Sequence, residues 1–384
     1  MRRLEEYISA GGKRLRCGYT TGTCAAAAVR AAAELLLADK LVASVSVHTP
    51  SGIEVLVDVE EAQSGSGWAR CAVRKDAGDD PDVTDGVLVY ACVTMADKPG
   101  CTIVGGRGVG RVTRAGLDQP VGAAAINSVP RAMIAEAAHA CAKEHGYEGG
   151  LRIEISIPAG EELARRTFNP RLGIEGGISV LGTSGIVRPM SEEALVASIR
   201  LELKVLRATG ATDVLVVPGN YGRDYAAGVL GLSVDHAVTC SNYLGEAIDE
   251  AGLLGFESML VVGHVGKLVK VAAGVMNTHS RVADCRVEVL AAHAALAGAG
   301  REVVREVMDA ATTDAVVDIL QANGLLDLTM DTLVARMGEH LNQRGAERLQ
   351  VEAVMFSQRH GLLGMTAGAE ELLARHVRRE AEDA

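Results

Sequence analysis

The sequence contains few aromatic residues: of 384 residues, one is Trp, three are Phe and seven are Tyr. Proteins that bind single-stranded nucleic acid stack bases on aromatic side chains and present positive charge to phosphates. This chain has the opposite balance, with a formal net charge of −11. We therefore expect no nucleic acid partner. The core has to be built mainly from aliphatic side chains, which a hydrophobic content of 48% supplies.

The eight cysteines lack the spacing of a metal site. No two of them form a C-x-x-C motif, so we expect neither a zinc site nor a disulfide framework. We interpret them as reduced side chains packed in the interior. The sequence predicts no metal site built by the protein itself.

Long apolar runs are also missing. No run approaches the ~20 consecutive apolar residues of a membrane-spanning helix, and the first residues, Met-Arg-Arg-Leu-Glu-Glu, lack the apolar stretch of a signal peptide. We expect a cytoplasmic protein without a membrane partner. A length of 384 residues favours two domains.

Near the N-terminus, a loop rich in glycine and threonine runs directly into an alanine-rich stretch: Cys17-Gly-Tyr-Thr-Thr-Gly-Thr-Cys-Ala-Ala-Ala-Ala-Val-Arg30. This pattern predicts a helix over residues 23–40 with Thr23 as its N-cap. The free N–H groups and the dipole of a helix start favour anions, so a carboxylate or phosphate could bind at Thr21 to Thr23. The alternative is a capped helix whose glycines only form a turn.

A second dense segment, residues 74–86, has five aspartates within ten residues and lies between two predicted strands. Asp-Pro and Asp-Gly are turn formers, so a solvated loop is one interpretation. Divalent metal binding is another, but the spacing of a calcium loop is absent. We do not expect metal here.

The two halves of the chain follow different patterns. Up to residue 165, a helix and several alternating strand-like runs indicate an α+β domain with a mixed sheet, and residues 102–113 are interpreted as a glycine-rich hairpin. From residue 166 to 384, strands alternate with glycine turns and helices, among them a predicted helix over Glu192–Ala208 and a predicted strand over Asp213–Val217. This alternation predicts a three-layer α/β/α, Rossmann-like domain. The predicted fold class is therefore α/β with two domains. Ligands of such sheets bind at the carboxyl ends of the strands, where the glycine turns fall.

These segments together resemble the cobalt-precorrin-5B C1-methyltransferases of anaerobic cobalamin biosynthesis. The resemblance rests on GYTTGTCAAAA, KDAGDDPDVT, NPRLGIEGG, LGTSGI, PGNYG, VGHVGKLVK and GVMNTHSR, in that order, and it covers most of the chain. Asp85 departs from the pattern, in which His or Asn is expected more often. The resemblance implies S-adenosylmethionine as the methyl donor and an anionic cobalt-tetrapyrrole as the acceptor, methylated at carbon 1. Cobalt then arrives only as part of the substrate.

The resemblance and the residue chemistry together suggest roles for particular side chains. The donor is expected at three glycine turns and one asparagine, where residues without a Cβ let a ligand approach the backbone: Gly182, Thr183, Ser184, Gly219, Asn220, Gly222, Gly263, Gly266 and Asn277. Positive charge and uncharged donors are expected to hold the acceptor: Thr20, Thr21, Thr23, Arg107, Arg111, Lys267 and Arg281. The candidates for catalysis are Asp76, Asp79, Asp82 and His264.

Two other classes of function compete with this interpretation. An NAD(P)-dependent oxidoreductase fits the second half, but the G-x-G-x-x-G fingerprint with its acidic residue is missing. A non-catalytic tetrapyrrole-binding protein would share the cationic clusters but would not need three glycine turns at strand ends. The sequence leaves the oligomeric state open, with a homo-oligomer allowed.

Overall fold

The computed structural model describes residues 3–167 and 169–377. The chain forms two compact units, Met1–Glu192 and Glu193–Ala384. The sequence placed the division earlier, after residue 165. The difference arises because three short strands after residue 165 pair with strands of the first unit.

The first unit contains fourteen strands and four α-helices within the described residues. The strands are β1 (Tyr7–Ala10), β2 (Lys13–Arg16), β3 (Gly18–Tyr19), β4 (Ser44–His48), β5 (Glu54–Gly65), β6 (Trp68–Arg74), β7 (Leu88–Ala96), β8 (Gly100–Gly105), β9 (Gly108–Val109), β10 (Arg111–Val112), β11 (Gly150–Ser156), β12 (Ile174–Glu175), β13 (Gly177–Ile178) and β14 (Ile186–Val187). The helices are α1 (Thr21–Ala38), α2 (Ser128–Glu144), α3 (Gly160–Leu163) and α4 (Asn169–Leu172), with a 3-10 turn at Ala164–Arg166.

A six-stranded mixed sheet in the order β4-β5-β6-β7-β11-β8 dominates this unit. Its strands alternate buried and accessible side chains, as in Leu88–Ala96, where Val89, Ala91 and Val93 are buried. The buried side chains form one core with α1 and α2. One face of the sheet is therefore packed against helices, and the side chains of the other face remain partly or fully accessible.

Helix α1 begins earlier than predicted. Its N-cap is Thr20, whose Oγ1 accepts a hydrogen bond from the Thr23 N–H at 3.2 Å, so Thr23 lies in the first turn. The alanines let the helix pack closely, and Asp39 ends it in a left-handed conformation. The helix has the length and hydropathy of a membrane span, but 78% of it is buried within the protein, as in a core helix.

The predicted glycine-rich hairpin over residues 102–113 is wrong. Strand β8 pairs in parallel with β11, β9 pairs with β13, and β10 pairs with β12. A parallel pair needs a crossover, and α2 lies between β8 and β11 along the chain. The glycines make this segment locally compatible with a hairpin, and only long-range pairing decides against it.

The second unit alternates helices and strands. Its helices are α5 (Glu192–Ala208), α6 (Asn220–Gly228), α7 (Leu244–Leu253), α8 (Val265–Leu268), α9 (Arg286–Leu296), α10 (Arg301–Met308), α11 (Thr313–Ala322), α12 (Leu326–Gly345) and α13 (Ala369–His376), with 3-10 turns at Val269–Ala273 and Ala346–Arg348. Its strands are β15 (Asp213–Val217), β16 (Val238–Thr239), β17 (Ser258–His264), β18 (Gln350–Ser357) and β19 (Gly361–Met365).

These strands form one sheet in the order β16-β15-β17-β18-β19, in which only β19 is antiparallel to its neighbour. Along β15, Val214 and Val216 join one core cluster, whereas Leu215 and Val217 join another. Helical residues complete both clusters, so the sheet is buried on both faces. This explains the nearly continuous apolar run of β15.

Candidate functional site

The carboxyl edge of the second unit's sheet has the topology of a ligand site. Strand β15 comes first along the chain, β16 lies on one side of it and β17 on the other. The connections after β15 and β17 therefore diverge, and ligands of open α/β sheets bind at such a reversal. Two of the three predicted glycine turns, at Gly219–Gly222 and Gly263–Gly266, lie at these two strand ends.

The turn after β15 borders open space at its first glycine. A Cβ added to Gly219 would meet no other atom within 4 Å, and no side chain caps the helix that starts at Asn220. Gly222 has a different role, because a Cβ there would lie 2.5 Å from the carbonyl oxygen of Val262. Gly219 and the exposed Asn220 can thus face a ligand, whereas Gly222 lets α6 pack on β17.

The turn after β17 fixes the state of His264. Its Nδ1 accepts a hydrogen bond from the Gly266 N–H at 3.1 Å, which leaves the ring proton on Nε2. Burial lowers the pKa of His264, and the ring packs edge-on against Phe356 with centroids 5.7 Å apart. The imidazole is therefore a neutral hydrogen-bond donor and is poorly suited to act as a base.

Other predicted residues of this turn hold the loops together. Lys267 Nζ donates to the carbonyl oxygens of Pro218 at 3.1 Å and Ser241 at 3.0 Å, and burial lowers its pKa. A Cβ on Gly263 would lie 2.9 Å from Leu268 Cγ. Because Lys267 already holds two loops together through these hydrogen bonds, it is less available for the predicted contact with the acceptor. Gly263 is needed for close packing against Leu268.

The segment with Asn277 and Arg281 is ordered by its own hydrogen bonds. Asn277 Oδ1 accepts from the His279 N–H at 3.1 Å, and His279 Nδ1 accepts from the Arg281 N–H at 3.0 Å. The fully buried Lys270 Nζ donates to the Thr278 carbonyl oxygen at 3.1 Å. The Arg281 side chain remains exposed, so it stays available for an anionic group.

Sequence reasoning missed two polar residues at the same sheet edge. The buried Ser357, at the end of β18, donates from Oγ to Asp314 Oδ1 at 2.7 Å and accepts from the N–H groups of Arg359 and His360. Asp314 favours the protonated form of the His264 ring, opposing the effect of burial. No motif marks Asp314, whereas Ser357 follows an apolar, strand-like run, which is the local signal that could have located it.

The first predicted donor turn belongs to the first unit. Gly182 packs so closely on Thr20 that a Cβ would collide with its Oγ1, and Ser184 Oγ donates to the Ile186 carbonyl oxygen at 2.9 Å. Thr183 is exposed. The structure thus assigns Gly182, Thr183 and Ser184 to the unit that contains α1, and the other two turns to the second unit.

The threonine helix start already has partners within the protein. The Gly22 N–H donates to the Leu181 carbonyl oxygen at 2.8 Å, and Thr23 Oγ1 donates to the Gly185 carbonyl oxygen at 2.7 Å. Thr21 Oγ1 accepts from the Leu181 N–H at 2.9 Å. An anion would have to displace these contacts, so the helix start mainly anchors residues 181–185.

The aspartate loop is a network of internal hydrogen bonds. Asp76 accepts two hydrogen bonds from the Arg16 guanidinium, at 2.6 and 2.7 Å. Asp79 Oδ2 accepts from the Arg16 N–H at 2.7 Å, and Asp82 Oδ2 accepts from the buried Lys75 at 2.6 Å. Burial alone would raise the pKa of Asp76 and Asp82, but Arg16 and Lys75 hold both below the ordinary range. Asp76 and Asp82 are therefore ionised, and all three carboxylates are occupied by hydrogen bonds within the protein.

The two predicted arginines of the glycine-rich segment differ in their contacts. Arg107 is 70% exposed and pairs with Glu161 at 3.1 Å. Arg111 donates to the Gly122 carbonyl oxygen at 3.0 Å. Only a weak surface ion pair holds Arg107.

One group of side chains in the described ranges has the spacing of a metal site: Glu34, Cys141 and His145. Burial, reinforced by Glu34, raises the pKa of Cys141 to about 12, so the thiol stays protonated. Arg30 and His145 both hydrogen-bond Glu34. We interpret the group as a hydrogen-bonded network in which Glu34 of α1 binds Arg30 and His145, the residue that follows α2.

Comparison with known proteins identifies relatives over nearly the whole chain. Residues 8–189 match the family model described as CbiD, and residues 277–367 match the model described as CbiD, C-terminal domain. A cobalt-precorrin-5B C(1)-methyltransferase of Ruminiclostridium cellulolyticum is 49% identical over 92% of both chains. Another, of Thermoanaerobacter sp., is 44% identical over 94% of this chain and 98% of its own. A 1.9 Å crystal structure of a cobalamin biosynthesis protein from Archaeoglobus fulgidus is 31% identical over 73% of this chain and 87% of its own, with a TM-score of 0.40.

Proposed function

The chain belongs to the CbiD family of cobalt-precorrin-5B C(1)-methyltransferases, and on that premise we propose how it carries out the reaction. It methylates carbon 1 of cobalt-precorrin-5B in cobalamin biosynthesis. The observation that carries this conclusion is the identity of 49% over 92% of both chains. We propose S-adenosylmethionine as the donor, cobalt-precorrin-6A as the product and the cytoplasm as the location.

We place the donor at the carboxyl edge of the second unit's sheet, which we regard as a Rossmann-like nucleotide site. The residues fit such a ligand because Gly219 leaves open space beside an uncapped helix start. The backbone N–H groups there can donate to a carboxylate or hydroxyl group. Asn220 adds an exposed amide, and Lys267 keeps the adjoining loops in place.

The bound donor supplies an electrophilic methyl group on a sulfonium. The protein therefore has to align the reacting carbon with the methyl–sulfur bond, and such orientation can contribute several orders of magnitude. His264 would donate a hydrogen bond from Nε2 to a carboxylate or hydroxyl oxygen of the bound donor and so help to hold it in this alignment. As a neutral ring, it does not repel the positive sulfonium.

The roles predicted for the aspartates are narrower in this proposal. Asp76, Asp79 and Asp82 are engaged by Arg16, Lys75 and backbone N–H groups. We propose that they fix the loop that supports the acceptor and do not remove a proton themselves. Arg107 and Arg281 are exposed cations that can contact acceptor carboxylates.

Anaerobic incubation with S-adenosylmethionine and cobalt-precorrin-5B tests the activity. Mass spectrometry should find a product heavier by one methyl group, together with S-adenosylhomocysteine. Calorimetry should detect binding of S-adenosylmethionine and none of NADH. Binding of NADH alone would favour an oxidoreductase, and binding of the tetrapyrrole without turnover would favour a carrier.

A further inference from the structure

The accessible face of the first unit's mixed sheet carries a groove, to which Arg107 contributes its side chain. It has a volume of about 590 Å³, within the range of small-molecule sites. Side chains from β6, β7 and β11 form its floor, and the segment after β8 forms its rim. The lining residues used here are Trp68, Arg70, Tyr90, Cys92, Arg107 and Glu154.

The strand register places these side chains on one surface. Arg70 lies opposite Cys92 on β7, and Cys92 lies opposite Glu154 on β11. The residues that alternate with them, such as Cys71 and Ile153, belong to the helix-covered core. The groove therefore lies on the face of the sheet opposite the helix-covered core.

The groove concentrates aromatic surface in a chain that has little of it. It contains the single tryptophan of the sequence and Tyr90, whose ring lies 4.9 Å below the Arg70 guanidinium carbon. Tyr90 Oη donates to Glu61 at 3.1 Å, which fixes the ring. A planar conjugated ligand can stack on such rings.

Two cations in the groove are available to an anion. Within the part of the chain that the structure describes, Arg70 has no acidic partner, and its charge rests on an aromatic face. Arg107 is 70% exposed and paired only with the half-exposed Glu161, an exchangeable contact. Arginine suits bidentate binding of carboxylates.

We propose that this groove binds the anionic tetrapyrrole substrate, with Trp68 against its planar face and two arginines on its carboxylates: Arg107, and Arg70 as it lies over the Tyr90 ring. The inference rests on the proposed function for the identity of the ligand. The ligand and the groove match in chemistry: a planar macrocycle with carboxylates meets an aromatic side chain and two arginines. This proposal concerns the acceptor alone and makes no use of the donor contacts in the second unit.

Trp68 provides a direct measurement of binding. Cobyrinic acid, a cobalt corrinoid polycarboxylate, is titrated into the full-length protein while tryptophan emission is followed, with N-acetyltryptophanamide as the control for light absorption. We expect saturable quenching that weakens at high salt. Arg70→Ala and Arg107→Ala should each lower the affinity about tenfold. Arg14→Ala is the matched control, because Arg14 lies over Tyr7 in a similar contact outside the groove, and its affinity should be unchanged.

Cysteine labelling gives a second measurement that needs no variant. Cys92 lies in the groove, whereas Cys285, also partly accessible, belongs to the second unit. Bound cobyrinic acid should slow alkylation of Cys92 relative to Cys285. Equal rates with and without the ligand would overturn the proposal, as would equal affinities of the three arginine variants.

Turnover distinguishes this inference from the proposed function. Arg70→Ala should raise KM for cobalt-precorrin-5B and leave KM for S-adenosylmethionine unchanged. If the wild type methylates the substrate and Arg70→Ala has the same KM values, the groove assignment is wrong and the function stands. If the wild type binds cobyrinic acid in the groove without methylating the substrate, the function is wrong and the groove stands.

Sedimentation tests whether the same face joins two copies of the chain. If the wild type dimerises and the groove variants do not, this face is a contact between copies and the proposal is overturned.

Discussion

At the scale of the residue, the first unit pairs its buried charges instead of excluding them. Arg16 binds Asp76 through Nη1 and Nη2, the two terminal nitrogens of its guanidinium, and the fully buried Lys75 binds Asp82. Buried charges are tolerated only when their partners remain, because removing one partner leaves the other unpaired. We therefore expect substitutions in the aspartate loop to destabilise the fold where they remove the partner of a buried charge, as at Asp76, and to have little effect elsewhere.

Asp76→Asn should destabilise the protein by about 3 kcal/mol at neutral pH, because Arg16 loses its ionised partner. Asp79→Asn is the matched control: its amide oxygen can still accept from the Arg16 N–H, so the loss should be small. The folded-state pKa of Asp76 is lowered. The ionised Asp76 carboxylate therefore adds to the free energy of unfolding above its unfolded-state pKa of about 3.9, and this stabilisation is lost as the pH falls from there through the folded-state pKa.

Urea unfolding at several pH values measures both effects. The difference between the wild type and Asp76→Asn should be constant near neutrality and shrink as the pH falls below about 4. A difference that grows in acid would contradict the assigned ion pair.

His264→Asn distinguishes the two roles assigned to His264, which are to cap the following helix through Nδ1 and to donate a hydrogen bond to the ligand from Nε2. Asparagine can still accept from the Gly266 N–H but lacks the Nε2 donor, so kcat should fall while stability is retained. His264→Ala should lose about 1 kcal/mol of stability as well. Wild-type kcat in His264→Asn would mean that the ring only caps the turn.

The pH profile of kcat checks the state of the same ring. Burial lowers the pKa of His264, so the neutral ring persists as the pH falls past about 6.5, the ordinary value for histidine. Turnover should decline only at lower pH, where protonation of Nδ1 breaks its bond to Gly266. A decline centred at or above the ordinary value would contradict a buried, neutral ring.

At the scale of the element, local patterns predicted much of the secondary structure. Helix α5 and strand β15 have their predicted bounds, Glu192–Ala208 and Asp213–Val217, because apolar periodicity and flanking glycines are local signals. Long-range pairing was not predictable in the same way. Strand β8 joins the large sheet through β11, and Gly182 packs on Thr20, far away in sequence.

The same limit applies to the candidate site. The glycine turns at Gly219 and Gly263 were recognisable, but their separate roles depend on what surrounds each Cβ position. The use of Lys267 as a brace depends on carbonyl oxygens of two other loops. Sequence locates such residues, and packing decides what they do.

Gly219→Ala should therefore affect donor binding, whereas Gly222→Ala should affect stability. The first adds a methyl group to open space with φ of 165°, an extended conformation available to alanine, so stability should be kept and donor affinity lowered. The second forces a methyl group against the Val262 carbonyl oxygen and should cost about 1–3 kcal/mol. Calorimetry with S-adenosylmethionine and thermal unfolding of both variants measure this. Unchanged donor affinity in Gly219→Ala would remove the donor from this turn.

At the scale of the whole molecule, an enzyme with a net charge of −11 binds a cobalt-precorrin tetrapyrrole, which we propose to be anionic. It has to gather cations locally, because the overall field repels the ligand. The core is organised by unit as well: among the residues that the structure describes, each buried cluster consists of side chains from one unit. Each unit therefore has its own hydrophobic stabilisation.

The single tryptophan makes the two units separable in an unfolding experiment. Trp68 belongs to the first unit, so its fluorescence reports unfolding of that unit, whereas circular dichroism reports both. S-adenosylmethionine at about 100 times its Kd adds ~2.7 kcal/mol to the unit that binds it, a shift of about 5–10 °C for a unit of this size. We expect a dichroism transition to move by this amount while the Trp68 transition stays in place. Gly219→Ala is the control and should show a much smaller shift. A Trp68 transition that moves alone would put the donor in the first unit, and two transitions that move together would contradict separate unfolding of the two cores.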